Sequence, residues 1–238
     1  MSKIYERLSS LTPLLQGKQV NYLPAMVGAL RRQGIEDKDI QKLVESFMKI
    51  MPVGDLGEKL YPKSIFDEYY IHKTNFYLGQ LRTKSFEELF NLILQEENDM
   101  GATYEFAGLL RVMYALQSEE ELVIAEALAF FDLSTLKKQL EDPRTISIEK
   151  TLKDMKNRYD ETPSRTNLVV LMNLLAIENL ASYIHNLDDV LSRYVTYAKD
   201  IPEESDIEYP TLEEIMKQDV RSFDDPLLMI MYDLLSNE

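Results

Sequence analysis

Apolar residues recur every three to four positions through most of the chain, which is the period of an amphipathic helix. Three of these runs follow a Ser or Thr that has Glu three residues later: Ser85 with Glu88, Ser118 with Glu121, and Thr211 with Glu214. In this arrangement each side chain can bind the free backbone N–H of the other residue at a helix start. No segment alternates cleanly between apolar and polar residues over five or more positions, and Asn-Gly and Asp-Gly turns are absent. The pattern predicts an all-α protein.

The periodic runs place helices at 2–15, 20–34, 37–51, 64–80, 85–98, 102–117, 119–131, 133–140, 147–158, 166–184, 187–199, 211–219 and 225–235. The connections at 52–62, 141–146 and 200–210 carry the Pro and acidic residues typical of exposed loops. None of them resembles an interdomain linker, so we expect residues 1–238 to form a single domain. Small residues recur beside Leu, Met and aromatic residues in 21–30 and 106–116, which leaves a helical-repeat solenoid as the alternative architecture.

Three predicted helices are apolar on nearly every side. Residues 106–116, 122–131 and 168–184 carry one charge each, which is Arg111, Glu126 and Glu178 respectively. A helix without a polar face has to be covered all round by its neighbours, so we expect an irregular multi-helix bundle with these helices in its centre. Because an isolated buried charge is costly, we expect Arg111 and Glu178 to form an ion pair; the alternatives are a polar pocket that they anchor, or surface positions.

The chain has 238 residues, with 26 Lys and Arg against 41 Asp and Glu, a formal charge of −15. This charge repels nucleic-acid phosphates and anionic lipid, so we expect neither nucleic acid nor membrane as a partner. Cysteine is absent, which excludes disulfides and fits a cytoplasmic protein. Residues 1–7 precede no apolar block, and the weakly charged run 166–187 contains Glu178 and four Asn, so we predict neither a secretory signal nor a membrane span.

Histidine is scarce, whereas tyrosine is abundant. Only His72 and His185 occur, so a three-histidine metal site and a carboxylate-bridged di-iron bundle are excluded. Glu68 and His72 are expected to lie as a pair on one helix face. Of the 14 tyrosines, five lie in or near the predicted core helices: Tyr22, Tyr69, Tyr70, Tyr104 and Tyr114. Their phenols either outline a partly polar cavity for a small aromatic ligand, or fill the core with their hydroxyls pointing outward.

Several short elements occur in a fixed order along the chain. Residues 21–26 precede Ala29, Leu30 and Gly34; residues 106–111 continue to Tyr114-Ala115-Leu116; and residues 124–129 follow. These elements resemble the Asn-His-x-Pro-Met stretch, the Phe-His-x-Leu-Ile-Arg-x-x-Tyr-Ala element and the Glu-Ile-Ala-x-Ala-Leu-Ala helix of the questin oxidase-like family of all-α proteins. Residues 171–180 and 224–227 can be laid on two later elements of that family. The resemblance therefore covers most of the chain.

Members of this family are associated with oxidative cleavage of polyketide aromatic rings, and their histidines imply a non-haem iron site. The corresponding positions here are Tyr22, Ala107, Met172, Glu178 and Leu227, with Ile230 at the family's lysine position. Ala and Leu offer no ligand atom, and a thioether is a poor ligand for hard iron. The resemblance therefore implies a scaffold that has lost its metal, and we expect no cofactor.

We expect a metal-free relative of this family that binds a small aromatic or apolar ligand, or that catalyses a metal-independent reaction. The expected pocket residues are Tyr22, Arg111, Tyr114, Met172 and Glu178. The alternative is a protein-interaction module or homodimer, with a contiguous apolar patch exposed on an acidic helix. An oxidoreductase with unusual iron ligands is a second alternative. The sequence predicts no catalytic residue and leaves enzymatic activity undecided.

Overall fold

The computed structural model describes residues 3–15, 19–51, 53–59, 63–95, 107–134, 146–198 and 209–237. Within these ranges the chain is helical apart from one small hairpin, which confirms the all-α prediction. The helices are α1 (Lys3–Ser9), α2 (Leu23–Arg32), α3 (Asp37–Ile50), α4 (Ile65–Gln80), α5 (Phe86–Gln95), α6 (Gly108–Leu116), α7 (Glu121–Ser134), α8 (Ile148–Glu161), α9 (Arg165–Leu180), α10 (Leu187–Ala198), α11 (Leu212–Met216) and α12 (Pro226–Ser236). Two 3₁₀ turns, Ala181–Tyr183 and Val220–Ser222, and the strands β1 (Leu14–Leu15) and β2 (Gln19–Val20) are the other described elements. No helix in these ranges combines the length and the apolar character that a bilayer crossing requires.

Two of the three predicted helix starts are confirmed. The Ser85 and Thr211 hydroxyls accept hydrogen bonds from the backbone N–H groups of Glu88 and Glu214, at 3.2 and 3.3 Å. The two glutamate carboxylates accept in return from the backbone N–H groups of Ser85 and Thr211, at 2.7 and 2.9 Å. Each helix start therefore has two of its free donors satisfied within four residues.

At the third predicted start a helix does begin, at Glu121, but without the reciprocal hydrogen bonds, and a fourth reciprocal pair was not predicted. The Ser118 hydroxyl accepts from the Glu120 N–H at 3.2 Å instead of reaching Glu121. Glu119 adopts a left-handed backbone with φ of 56°, which redirects the chain before α7 begins. α4 begins with the same reciprocal arrangement between Ser64 and Asp67. Asp67 stands where the predicted pattern has Glu, and its shorter carboxylate serves as well.

The helix predicted over 2–15 ends at Ser9 and is followed by a hairpin. Pro13 has no N–H and cannot continue a helix, and Leu14–Leu15 pair antiparallel with Gln19–Val20. The Thr12 N–H donates to the Gly54 carbonyl at 2.9 Å, and the Asn21 side-chain amide donates to the Thr12 carbonyl at 2.9 Å. The hairpin is thereby attached to the loop after α3.

α7 joins the predicted helix at 119–131 to the first residues of the one predicted at 133–140. The chain is helical without a break through Asp132 to Ser134, and the remainder of the second predicted helix lies outside the described residues. The buried Asp132 carboxylate accepts from the Lys73 ammonium at 2.6 Å and the Tyr77 hydroxyl at 2.9 Å. Because these partners satisfy the acid, α7 continues past it into the core.

The predicted central helices α6 and α9 are buried along nearly their whole length, and α7 is buried from Ala127 onward. α6 packs on α7 and α9, whereas α2 and α12, which were not predicted to be central, pack on each other and on α6 and α9 respectively. In a solenoid each repeat contacts only its sequence neighbours, so this contact between the first and last thirds of the chain excludes that architecture for the described helices. One cluster of buried hydrophobic side chains extends from Ile4 to Leu234.

The contact between α2 and α6 requires a glycine. A Cβ atom at Gly28 would lie 2.6 Å from the Tyr114 Cβ, far inside van der Waals contact. With hydrogen in that place, the Tyr114 ring lies directly against the α2 backbone. This packing fixes the direction in which the Tyr114 hydroxyl points.

Candidate functional site

Arg111 is a buried cation on α6. Its side chain stacks over Phe130, with 4.6 Å between the guanidinium carbon and the ring centroid, and the Tyr70 centroid lies 6.0 Å away. Arg111 is only 7% exposed, and its Nη1 atom has no hydrogen-bond partner among the described residues. Aromatic faces attract the positive charge of the guanidinium. Arg111 also interacts with the Tyr70 hydroxyl, which acts to lower the pKa of that phenol against the larger effect of burial.

The predicted ion pair between Arg111 and Glu178 is wrong. Glu178 lies in the last turn of α9 and is exposed, because the end of this otherwise buried helix emerges from the core. The acid that interacts electrostatically with Arg111 is Glu126 of α7. Both residues were recognised as single charges on apolar helices, so the signal for this pairing was present in the sequence.

The carboxyl group of Glu126 has a pKa close to neutral pH. Its carboxylate accepts from the Ser9 hydroxyl at 3.0 Å. Burial raises the pKa of Glu126 to about 7, although Arg111 and the Ser9 hydroxyl act in the opposite direction. A carboxylic acid with this pKa changes its charge near neutral pH, beside a permanently charged guanidinium.

A small cavity of about 20 Å³ lies between α1, α2, α6 and α7. It is lined by Tyr5, Pro24, Arg111, Tyr114, Ala115, Val123, Glu126 and Ala127. A cavity of this size holds roughly one water molecule, whereas sites for drug-sized ligands occupy at least about 300 Å³. The structure thus brings the predicted residues Arg111 and Tyr114 to one cavity, but the cavity cannot enclose an aromatic ring.

The Tyr114 hydroxyl is committed to a structural network. It donates to the Asp233 carboxylate of α12 at 2.8 Å. Gln33 and Asn237 donate to the same carboxylate at 2.7 and 3.1 Å, and the Arg32 guanidinium lies 3.5 Å from it. Burial raises the pKa values of both Tyr114 and Asp233. The network joins α2, α6 and α12, which is the structural reason for a tyrosine at position 114.

The other expected pocket residues do not line this cavity. Tyr22 precedes the first turn of α2 and is 4% exposed, and Met172 is completely buried in the middle of α9. Tyr69 was expected in or near the core but is 56% exposed on α4, and Tyr104 lies outside the described residues. Tyr22 and Met172 are core residues here, because helices from distant parts of the chain cover them.

A second concave region lies between α8, α9 and α10. It has a volume of about 250 Å³, and its lining includes Met155, Val170, Leu174 and Val195. The Tyr194 hydroxyl at its edge donates to the Val170 carbonyl at 3.1 Å. Room for a small apolar ligand therefore lies here, away from Arg111 and Tyr114.

The outer face of α4 carries exposed apolar side chains in a regular row. Ile65, Tyr69 and Phe76 are 74%, 56% and 48% exposed, and the exposed His72 and Gly79 continue the row. Successive positions are separated by four, three, four and three residues, which is the spacing of a and d positions in a coiled-coil helix. We refer to these five residues as the α4 stripe. An exposed apolar patch was one of the expectations from the sequence, but it was not assigned to α4.

The inner face of α4 is fixed to the core. Phe66 packs edge-on against Phe130 of α7, with 6.3 Å between the ring centroids. Lys73 and Tyr77 both bind the buried Asp132, as described above. α4 is therefore fixed to the core through the face opposite the stripe. Because apolar residues lie on two faces of this helix, it is only weakly amphipathic.

The surroundings of the α4 stripe are basic, in contrast to the acidic helix that was expected to carry such a patch. Residues 59–84 contain five basic residues and two acidic residues in a chain of −15, and because Asp132 of α7 neutralises Lys73 they contribute a formal charge of +2. One of the two acids, Asp67, is buried in the start of α4, so Glu68 is the only exposed acid on this helix. Lys63, Arg82 and Lys84 are exposed at its two ends. The stripe is thus an apolar row with positive ends.

No family model, curated protein or solved structure matches this chain. The resemblance to questin oxidase-like proteins therefore stays a prediction from the residues. The positions that correspond to the family's histidines are on or next to α2, α6, α9 and α12, which pack as one group. Within the described residues no three His, Cys, Asp or Glu side chains are grouped as metal ligands would be.

Proposed function

We propose that this protein is an interaction module that binds an acidic amphipathic helix of a partner protein along the α4 stripe. The observation that carries the proposal is the exposure of Ile65, Tyr69 and Phe76 at coiled-coil spacing on a helix whose opposite face is anchored. This function takes precedence over a small aromatic ligand at the expected residues, because the cavity at Arg111 and Tyr114 has room for about one water molecule and the larger region between α8, α9 and α10 lies away from them.

The apolar row supplies the affinity. Burial of a large apolar side chain is worth about 1.5–3 kcal/mol, and three such side chains stand exposed on the stripe. Gly79 has open space around its Cα, so a large side chain of the partner can approach the helix backbone there. Because α4 is already ordered by Asp132 and Phe130, binding does not have to order it.

The charges select the partner. Lys63, Arg82 and Lys84 favour a partner helix with acidic residues beside its apolar row. A second copy of this chain is disfavoured, because a symmetric dimer through α4 would bring two faces of positive charge together. The homodimer considered from the sequence is therefore an outcome that the experiment has to exclude.

The test uses a three-heptad model peptide with Leu at positions a and d and Glu at positions e and g, and a second peptide with Lys in place of those Glu residues. Fluorescence anisotropy at low salt is expected to show binding of the Glu peptide, weaker binding at high salt, and at least about tenfold weaker binding of the Lys peptide. Ile65→Asp is expected to weaken binding of the Glu peptide by about tenfold or more. Ile50→Asp is the matched control, because Ile50 is also 74% exposed but lies on α3.

Three results would contradict the proposal. They are equal binding of the two peptides, equal effects of the two isoleucine substitutions, and a wild-type dimer in light scattering that Ile65→Asp converts to monomer. The last result would assign the same face to self-association instead of to an acidic partner.

A further inference from the structure

His72 interrupts the apolar row of the α4 stripe at its centre. It lies seven residues after Ile65 and seven residues before Gly79, so one heptad separates it from each end of the stripe. At the rise of an α-helix this distance is about 10 Å on either side. A partner helix that covers the whole stripe therefore places its own central a or d residue opposite His72, whether it runs parallel or antiparallel to α4.

The imidazole of His72 has no hydrogen-bond or ion-pair partner in the part of the chain that the structure describes. Glu68 was expected beside it on one helix face and is exposed as well, but no ion pair joins the two side chains. A neutral imidazole carries one donor and one acceptor, and in the free protein both are exposed to water. A docked helix removes that water, which is costly unless the partner supplies hydrogen bonds in its place.

The charges around His72 favour an amide over a carboxylate as its partner group. Glu68 is exposed one helical turn before His72 and would repel a second carboxylate. Lys73, the adjacent cation, is already neutralised by Asp132 at 2.6 Å. The side-chain amide of Asn or Gln carries both a donor and an acceptor, so it can pair with the imidazole in either tautomer.

We propose that His72 selects a partner helix with a side-chain amide at its central a or d position, and that it thereby fixes the register of the docked helix. This inference rests on the proposed function and names a feature of the partner. A single polar residue in an apolar row is an established means of fixing register in coiled coils. A partner displaced by one heptad would leave the imidazole against an apolar side chain and its own amide against Ile65 or Gly79.

The test uses peptides with five a and d positions and Glu at positions e and g. The third of the five positions is Asn, Leu or Asp, and the other four are Leu. Fluorescence anisotropy is measured at pH 8, where an imidazole is ordinarily neutral. The wild type is expected to bind the Asn peptide more tightly than the Leu peptide and the Asp peptide.

His72→Leu is expected to prefer the Leu peptide, so that the ratio of the dissociation constants for the Asn and Leu peptides changes by at least about tenfold from the wild type. Because His72 is exposed, this variant should fold as the wild type does, which circular dichroism checks. His185→Leu is the matched control and should keep the wild-type ratio, because His185 lies outside the stripe, with its Nε2 atom 2.9 Å from Glu87 of α5.

A smaller change in that ratio would overturn the inference, and so would an equal change in His185→Leu. Tighter binding of the Leu peptide or of the Asp peptide to the wild type would overturn it as well. In each of these cases the peptides still bind, so the proposed interaction function stands. Absence of binding by all three peptides would instead contradict the interaction function, and this inference with it.

Discussion

At the scale of single residues, Glu126 links stability to pH. Its folded-state pKa of about 7 lies above the ordinary value of 4.5, because burial disfavours the ionised form. The stability that protonated Glu126 allows is complete below about pH 4.5 and is lost as pH rises from there through about 7, since over this range the folded state binds more protons than the unfolded state. Glu126→Gln is therefore expected to be more stable than the wild type near pH 8, by up to about 3 kcal/mol, and equally stable near pH 4.5.

Urea unfolding across this pH range is the measurement for Glu126→Gln. Glu121→Gln is the control, because Glu121 is exposed on the same helix and should leave the shape of the pH profile unchanged. A Glu126→Gln profile parallel to that of the wild type would show that this carboxyl does not titrate abnormally.

Gly28 is a second residue with a specific structural role, because its lack of a side chain allows close packing against Tyr114. A methyl group at this position would meet the Tyr114 Cβ at 2.6 Å, and Tyr114 cannot retreat easily because Asp233 holds its hydroxyl. Gly28→Ala is expected to lower the free energy of unfolding by about 1–3 kcal/mol or more. Gly79→Ala is the matched control on an open helix face, where alanine should raise stability by up to about 1 kcal/mol. Equal changes in the urea midpoint of the two variants would contradict this packing.

At the scale of elements, the anchoring of α4 depends on Asp132. This buried carboxylate holds Lys73 and Tyr77 of α4 against α7. Asp132→Ala is expected to cost about 1–3 kcal/mol and to raise hydrogen exchange of the α4 amides more than that of α9. Glu213→Ala removes an exposed ion pair with Lys217 and is expected to leave both the stability and the exchange of the α4 amides nearly unchanged, because solvent screens such a pair. Uniform acceleration of exchange across the molecule would mean that Asp132 stabilises the whole fold and not the attachment of α4.

Helix starts show how far local signals extend. Ser85 and Thr211 are predictable because the reciprocal bonds need nothing beyond four consecutive residues. Ser118 fails because the left-handed Glu119 redirects the chain, a choice that depends on how α6 and α7 must turn to pack. The strands of the hairpin, Leu14–Leu15 and Gln19–Val20, are likewise too short to give a strand pattern in the sequence. The hydrogen bond from the Thr12 N–H before the hairpin is accepted by Gly54, which lies in a distant loop.

At the scale of the whole molecule, charge is distributed unevenly. The formal charge of −15 disfavours nucleic acid, yet residues 59–84, with Lys73 neutralised by Asp132, carry +2 around an exposed apolar row. The net charge of the whole chain does not reveal this difference between segments. The difference matters because α4 lies at the surface with its stripe exposed. An acidic protein can thus present a locally basic docking face.

The helical class and the central position of α6 and α9 follow from local chemistry: a period of three to four residues, serine and threonine at helix starts, and helices without a polar side. The burial of Arg111 and the exposure of Glu178 do not follow from local chemistry. Each residue lies on an apolar helix, and the segments that cover Arg111 and leave Glu178 uncovered come from distant parts of the chain. Contact between α2 and α12 and exposure of Ile65 arise from packing between remote segments, whereas the electrostatic interaction of Arg111 with Glu126 arises from the packing of the consecutive helices α6 and α7. The spacing of hydrophobic residues along the chain determines which helix faces can be buried, whereas the three-dimensional arrangement determines which of those faces are covered by another segment.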